Sequence, residues 1–298
     1  MLKSLLLITA FGLAPSANAV VKLFACEPEW RALASEIGGD KVEVMLATTA
    51  AQDPHHVEAR PSLIAKVRRA DMLFCTGAGL EVGWLPLLER RAGNSAVRPG
   101  QPGHLLAANH VPLLEVPSRL DRSEGDQHPE GNPHVQLDPH NLRRIAQVLT
   151  ERLVLIDGSN ADYYQQRLAS FEQRWSAAIE GWQQRALPLR GKHVVVHHRN
   201  WSYLLDWLGM VSVGELEPAP GLPITVGHLS QLAELLQQKQ PFAVIRSTID
   251  DPAPSRWLAD RSGTPQRVLP QTVGAVSSAV DLESLFDYLV DELLATPQ

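Results

Sequence analysis

The sequence predicts an α/β fold of two lobes, each a parallel-sheet α/β sandwich, linked by a long rigid α-helix. Near both ends of the 298-residue chain, short apolar segments that suit strands alternate with amphipathic segments of helical period. Such alternation is typical of parallel sheets covered by helices. Between the two alternating regions, residues 161–189 have one continuous helical pattern. A helix of that length is too long for the crossover of a single strand–helix–strand unit.

The first alternating region begins with a strand-like apolar run at residues 21–26, followed by residues 27–38 with helical spacing. In this predicted helix Trp30, Leu33 and Ile37 fall on one face, as expected for a helix packed on a core. The remaining elements predicted here are a strand at 41–48, a helix that Pro61 opens, and a strand at 71–75.

The middle of the chain is nearly all helical in pattern. One helix is predicted over residues 138–156, and Asp138 can cap it. A break at 157–160 follows, where Ser159 or Asn160 could cap the long helix. After Gly191 the alternation of strands and helices resumes. We therefore predict the following organisation: a signal peptide at 1–19, an N-terminal lobe at 20–155, a linking helix at 156–189 and a C-terminal lobe at 190–298.

The first nineteen residues have the pattern of a secretory signal peptide. Lys3 is followed by an apolar run, and the small residues Ala17 and Ala19 precede the expected cleavage site. The apolar run is too short to span a bilayer. No Cys follows the cleavage site directly, so a lipid anchor there is not expected. The mature protein is predicted to be soluble, exported and periplasmic.

Composition and charge argue against nucleic-acid binding. The formal net charge is −6, and no block of Lys or Arg stands out. A nucleic-acid partner is therefore not expected. A chain of this length can bury a core that needs no metal to fold, so a metal site in it would be functional.

The chain has two cysteines, Cys26 and Cys75. Each ends a predicted strand, and the two strands can be neighbours in one sheet, which would place both thiols at the same edge. Exported proteins commonly pair such cysteines. We therefore predict a disulfide between them; no CxxC pattern indicates a metal site there.

Histidines cluster at three places that are predicted loops or strand ends: residues 52–62, 128–141 and 194–201. Open α/β sheets bind ligands at the carboxyl ends of their strands. Two clusters belong to the first lobe and one to the second, so a cleft between the lobes would bring them together. Neutral imidazole is a common metal ligand and suits zinc.

These segments resemble the motifs of the metal-binding substrate-binding proteins of ABC importers, zinc-type. Residues 53–58 (DPHHVE) are similar to the family pattern DPHxYE, and residues 132–141 (NPHVQLDPHN) to NPHVWLDPxN. A third histidine, His198 here, follows the long helix in this sequence as it does in the family. The resemblance covers essentially the whole mature chain. It implies His55, His134 and His198 as metal ligands, zinc or, second, manganese as the metal, an ABC permease as partner, and a monomer without enzymatic activity.

Neighbouring histidines need to be distinguished from these ligands. Successive strand residues point to opposite sides, so only one of His197 and His198 can face the cleft, and the family pattern favours His198. We interpret three others as surface residues: His56, His128 and His140. The acidic fourth ligand common in the family is missing from residues 268–276. A water molecule, Glu27, Asp250 or Asp251 could take that place.

Two other functions fit parts of the pattern. Three histidines with an open fourth position also form the site of some zinc hydrolases; Glu58 would be the general base, although the HExxH helix motif is absent. The two-lobed architecture would also suit a carrier of a metal chelate such as a siderophore.

Overall fold

The computed structural model describes residues 20–119 and 128–296. The predicted signal peptide and most of the loop at 121–131 lie outside these residues. Among the described helices, none is long and apolar enough to cross a membrane.

The first sheet is formed by four strands from residues 21–106. Its strands are β1 (Val21–Ala25), β2 (Val42–Leu46), β3 (Met72–Cys75) and β4 (His104–Leu106). They are parallel and lie in the order β2-β1-β3-β4. Helices between them are α1 (Pro28–Gly38), α2 (Pro61–Arg69) and α3 (Leu85–Ala92). Trp30, Leu33 and Ile37 of α1 are fully buried, as predicted.

Two long helices follow in the chain, α4 (Pro139–Ile156) and α5 (Ala161–Ala186). Asp138 caps α4 by accepting a hydrogen bond from the backbone N–H of His140, as predicted. The predicted cap of α5 is wrong, because Ser159 and Asn160 both donate hydrogen bonds to the Asp157 carboxylate instead.

The second sheet repeats the topology of the first. Its strands are β5 (His193–Val196), β6 (Val211–Glu215), β7 (Ala243–Ser247) and β8 (Gln266–Leu269). They are parallel and lie in the order β6-β5-β7-β8. The remaining helices are α6 (Ser202–Leu208), α7 (Val226–Lys239), α8 (Pro252–Ser262) and α9 (Leu282–Leu294). Two parallel sheets flanked by helices confirm the predicted fold class.

Helix α5 contacts elements from both ends of the chain. Near its start, the Arg167 side chain donates a hydrogen bond of 2.7 Å to the Glu36 carbonyl of α1. Near its end, Arg185 donates to the Asp287 carboxylate of α9 at 2.8 Å, and Trp182 stacks on Phe286. The helix is thus braced at both ends, which opposes a wide hinge motion.

Cys26 and Cys75 form a disulfide, in agreement with the prediction. Strands β1 and β3 are direct neighbours, with Ala25 paired to Phe74, so the residues that follow lie side by side. Their Cα atoms are 4.8 Å apart, 49 positions apart in sequence, and both side chains are fully buried.

Candidate metal centre

His55 lies in the loop between β2 and α2, close to the carboxyl end of the first sheet. Its Nδ1 is 2.8 Å from an oxygen of Asp53, and its backbone N–H donates to the same oxygen at 2.9 Å. Burial alone raises the pKa of Asp53, but the hydrogen bond and charge of His55 outweigh it and lower the pKa to about 2. A charged Asp53 therefore holds Nδ1 and leaves Nε2 to face the cleft.

His134 comes just before α4 and is 5% exposed. Its backbone N–H donates to the Asn132 side chain at 3.0 Å, and Tyr203 donates to the Asn132 carbonyl at 2.8 Å. At Gly131, φ is +123° and an added Cβ would meet the Leu114 carbonyl oxygen at 2.8 Å, so only glycine fits this approach. The loop that carries His134 is therefore held from several sides.

The surroundings of the His134 imidazole favour its neutral form. Its Nε2 is buried and has no hydrogen-bond partner among the described residues. Burial, followed by the charges of His55, His198 and His128, lowers its pKa well below the usual value. A neutral ring with a free nitrogen can donate a lone pair to a cation.

His198 follows β5 in the second sheet. Its Nδ1 is 2.7 Å from Oε2 of Glu217. Burial alone lowers the pKa of His198, but the hydrogen bond and charge of Glu217 raise it above its usual value. His197, by contrast, is 6% exposed, and its ring does not join the other histidines described below. Of these two neighbours, His198 is the one whose ring nitrogen lies near those of His55 and His134.

His55, His134 and His198 converge although they lie up to 143 positions apart in the sequence. One ring nitrogen from each can be chosen so that all three lie within 4.8 Å of one another. The ring centroids are 5.8, 6.1 and 5.9 Å apart. All three residues line a cavity of about 100 Å³, and the last two also line an adjoining cavity of about 380 Å³. The arrangement offers three imidazole nitrogens to one cation.

The remaining clustered histidines behave differently from one another. His56 is exposed, and the His140 side chain is 46% exposed beside Asp138, as predicted. The surface interpretation of His128 is wrong. Its Nε2 lies 3.3 Å from Nε2 of His55, with ring centroids 5.3 Å apart. The sequence pattern gave no signal for this, because the contact joins two residues 73 positions apart.

The acidic residues considered for a fourth ligand have other contacts. Glu27 is buried and accepts a hydrogen bond from the Thr76 hydroxyl. Asp251 caps α8 through the Ala253 N–H, and Asp250 accepts from the Ser247 N–H at 2.7 Å. Of the three, Asp250 lines the cavity shared by the histidines. Neither Glu27 nor Asp251 joins the group of converging ring nitrogens in the described part of the chain.

Sequence reasoning missed the two carboxylates that orient the imidazoles. Asp53 is part of the DPHHVE motif, and its position two residues before His55 was the available signal. Glu217 lies 19 positions after His198, with no periodic or motif relation to it. Only the pairing of β5 with β6 brings the two residues together.

Comparison with known proteins identifies relatives of this chain. Residues 24–295 match the family model of ZnuA, described as zinc-uptake complex component A, periplasmic. A manganese ABC transporter substrate-binding lipoprotein, PsaA of Streptococcus pneumoniae, is 24% identical over 78% of this chain and 74% of its own length. A metal ABC transporter substrate-binding lipoprotein, FimA of Streptococcus parasanguinis, is 23% identical over 87% and 82%.

Solved structures share the fold. A crystal structure of ZnuA superposes with a TM-score of 0.74 at 22% identity, covering 92% of this chain and 99% of that one. A manganese-bound mutant of a periplasmic metal binding protein from Candidatus Liberibacter asiaticus gives a TM-score of 0.77 at 15% identity, covering 93% and 100%. The family match spans nearly the entire described chain, and the chain therefore belongs to the ZnuA family of periplasmic metal-binding proteins.

Proposed function

We propose that this protein captures zinc through His55, His134 and His198 in the cleft and delivers it to an ABC permease at the inner membrane. The convergence of three imidazole nitrogens, two of them oriented by carboxylates, carries the proposal. Membership of the ZnuA family supports the role of a metal-binding component of an ABC importer. The curated relatives include proteins named for manganese, so the choice of metal has to come from the donor atoms.

The donor set favours zinc over manganese. Zinc accepts nitrogen ligands in tetrahedral sites, whereas manganese suits carboxylate, carbonyl and water oxygens. The converging group among the described residues is made of histidines, and the nearby carboxylates of Asp53 and Glu217 are held by Nδ1 atoms. Because these two carboxylates each bind an imidazole Nδ1, the site offers mainly nitrogen donors, and such a site disfavours the harder cation.

We propose His128 as the fourth ligand. Two nitrogens bound to one tetrahedral zinc at about 2.0–2.1 Å lie roughly 3.3 Å apart. The Nε2 atoms of His55 and His128 are already 3.3 Å apart. His128 precedes His134 in the first lobe and is not in the group of ligand atoms within 4.8 Å of one another, so it completes the site by moving closer to His134 and His198 when the ion binds. If His128 does not bind the ion, a water molecule or Asp250 is the remaining choice.

The further features of the proposal follow from the same argument. We propose that the chain is exported through a cleaved signal peptide at 1–19 and acts in the periplasm as a monomer. The lobes at 20–155 and 190–298, joined through 156–189, enclose the cleft. The bound ion is cargo and takes part in no reaction. Glu58, the general base that a hydrolase would need, is exposed and does not line the cavity that the three histidines share.

The direct test is metal titration of purified, tag-free protein and its His134→Ala variant, with His140→Ala as the matched control. Replacing His134 removes one of three converging nitrogens, so we expect zinc affinity to fall by orders of magnitude. His140 lies in the same segment, six residues after His134, but its side chain is exposed. Its replacement should therefore leave zinc affinity unchanged. Zinc binding by His134→Ala with the parent's affinity would contradict the ligand assignment.

The same titration, repeated with His128→Ala and His56→Ala, tests the fourth ligand. We expect a clear loss of zinc affinity for the first and none for the second, which is adjacent to His55 but exposed. Equal affinities for both variants would remove His128 from the site while leaving the other three ligands in place. A parent protein that prefers manganese would contradict the choice of metal.

A further inference from the structure

One carboxylate oxygen connects a proposed metal ligand with a loop at the mouth of the cleft. Oε2 of Glu217 is 2.7 Å from Nδ1 of His198 and also accepts a hydrogen bond of 2.9 Å from the Gly221 N–H. The Glu217 side chain is only 20% exposed. A group held from two sides in this way transmits a displacement of one partner to the other.

The loop in question, Pro218–Gly221, forms part of the cleft wall on the side of the second sheet. Pro218, Ala219 and Pro220 line the larger cavity beside His134 and His198, and Gly221 lines the smaller one. The opposite wall of the larger cavity comes from the first half of the chain and includes Glu115, Pro117 and the segment 131–133. The position of the loop therefore sets how open the metal cleft is.

The loop is built to move as a unit. Pro218 and Pro220 each fix one backbone dihedral, and the Leu222 N–H donates to the Ala219 carbonyl within the loop. At Gly221 φ is +74°, a value that other residues rarely adopt. The Glu217 carboxylate is a contact that ties this internally constrained loop to His198 on the ligand side of the cleft.

We propose that Glu217 is a positioning residue that couples metal occupancy at His198 to the position of the loop Pro218–Gly221. Zinc on Nε2 of an imidazole withdraws electron density from the ring and makes Nδ1–H a stronger donor to its carboxylate partner. The strengthened bond holds Glu217, and Glu217 holds Gly221. Coupling of this kind is reciprocal, so an ordered loop also strengthens zinc binding. This inference rests on the proposed function, since it needs metal at His198.

The test combines zinc affinity with amide hydrogen exchange of residues 219–224, measured without metal and with saturating zinc. In the parent we expect zinc to slow exchange in this segment. In Glu217→Ala we expect affinity to fall by about 10–100-fold, the usual effect of removing such a partner, and saturating zinc no longer to slow loop exchange. Glu217→Gln keeps an oxygen that can accept both hydrogen bonds, so part of the affinity and of the protection should return.

Glu215→Ala is the matched control. Glu215 lies two residues earlier and pairs with Arg199 at 2.9 Å, and its loss should leave both readouts near the parent's. Loop protection by zinc that persists fully in Glu217→Ala would overturn the coupling, and an unchanged affinity would overturn the positioning role. If the parent binds manganese in place of zinc, the proposed metal is wrong, and the same exchange measurement with manganese decides the coupling. A parent that binds neither metal overturns both proposals.

Discussion

The buried carboxyl of Glu29 should make the metal-free protein less stable as the pH rises. Glu29 is 3% exposed in α1, and its carboxylate accepts a hydrogen bond from the Thr272 hydroxyl. Burial raises its pKa from 4.5 to about 7, although the hydrogen bond from Thr272 lowers it in part. Between these two pKa values, Glu29 therefore keeps its proton in the folded protein, whereas it has already lost it in the unfolded chain.

The sign and size follow from this difference. A raised folded-state pKa gives stability that is complete below the unfolded pKa and is lost as the pH passes through the folded pKa. Between pH 5 and pH 8, titration of Glu29 should lower the free energy of unfolding by about 2–3 kcal/mol. Burial also raises the pKa of Glu81 to about 7, so its contribution has the same sign.

The perturbation that isolates this effect is Glu29→Gln, because glutamine has no proton to lose and its carbonyl can still accept from Thr272. We would measure urea unfolding at several pH values in EDTA for the parent, Glu29→Gln and Glu43→Gln. Between pH 5 and pH 8, the free energy of unfolding of the Glu29 variant should fall by about 2–3 kcal/mol less than that of the parent. The exposed Glu43 should behave like the parent. Parallel pH profiles for the parent and Glu29→Gln would refute the reasoning.

Three further predictions concern the disulfide, proton competition and closure. Removing the disulfide with Cys26→Ser and Cys75→Ser should lower the free energy of unfolding by roughly 4 kcal/mol in the chain-entropy model; two thiols reactive with Ellman's reagent in unreduced, denatured parent would contradict the bridge. Zinc affinity, measured by competition with a chelator, should fall as the pH is lowered from 7.5 to 5.5, because protons compete for His198, whose pKa Glu217 raises, whereas buried His134 stays neutral; a flat profile over this range would argue against histidine ligands. Because α5 is braced at Arg167 and Arg185, zinc should change the small-angle scattering profile only slightly, and a strong decrease in radius of gyration would argue for a wide hinge.

Much of the fold could be predicted because its signals are local. The apolar face of α1 and the long helical pattern that became α5 depend on spacing within one segment. Strand β4, with three residues, is too short to show alternation, and it was not predicted. The break before α5 was located, but the hydrogen bonds of Ser159 and Asn160 go to Asp157, a competition that the sequence pattern does not decide.

The site was predictable only where its residues belong to motifs. His55, His134 and His198 lie in segments that resemble family patterns in the same order. His128 and Glu217 do not, because the contact of His128 with His55 is distant in sequence and Glu217 reaches His198 through the pairing of β5 with β6. The burial of Glu29 could not be predicted from the local sequence either. An acidic residue in the first turn of a helix is favoured at the surface by the helix dipole, and nothing local indicates that α1 buries it.

The most direct test of the central claim is anomalous diffraction from crystals grown with equimolar zinc and manganese. We predict one ion with a zinc absorption edge, bound by ring nitrogens of His55, His134 and His198 at about 2.0–2.1 Å. A manganese edge at this position, or an ion bound elsewhere with these three imidazoles free, would contradict the account.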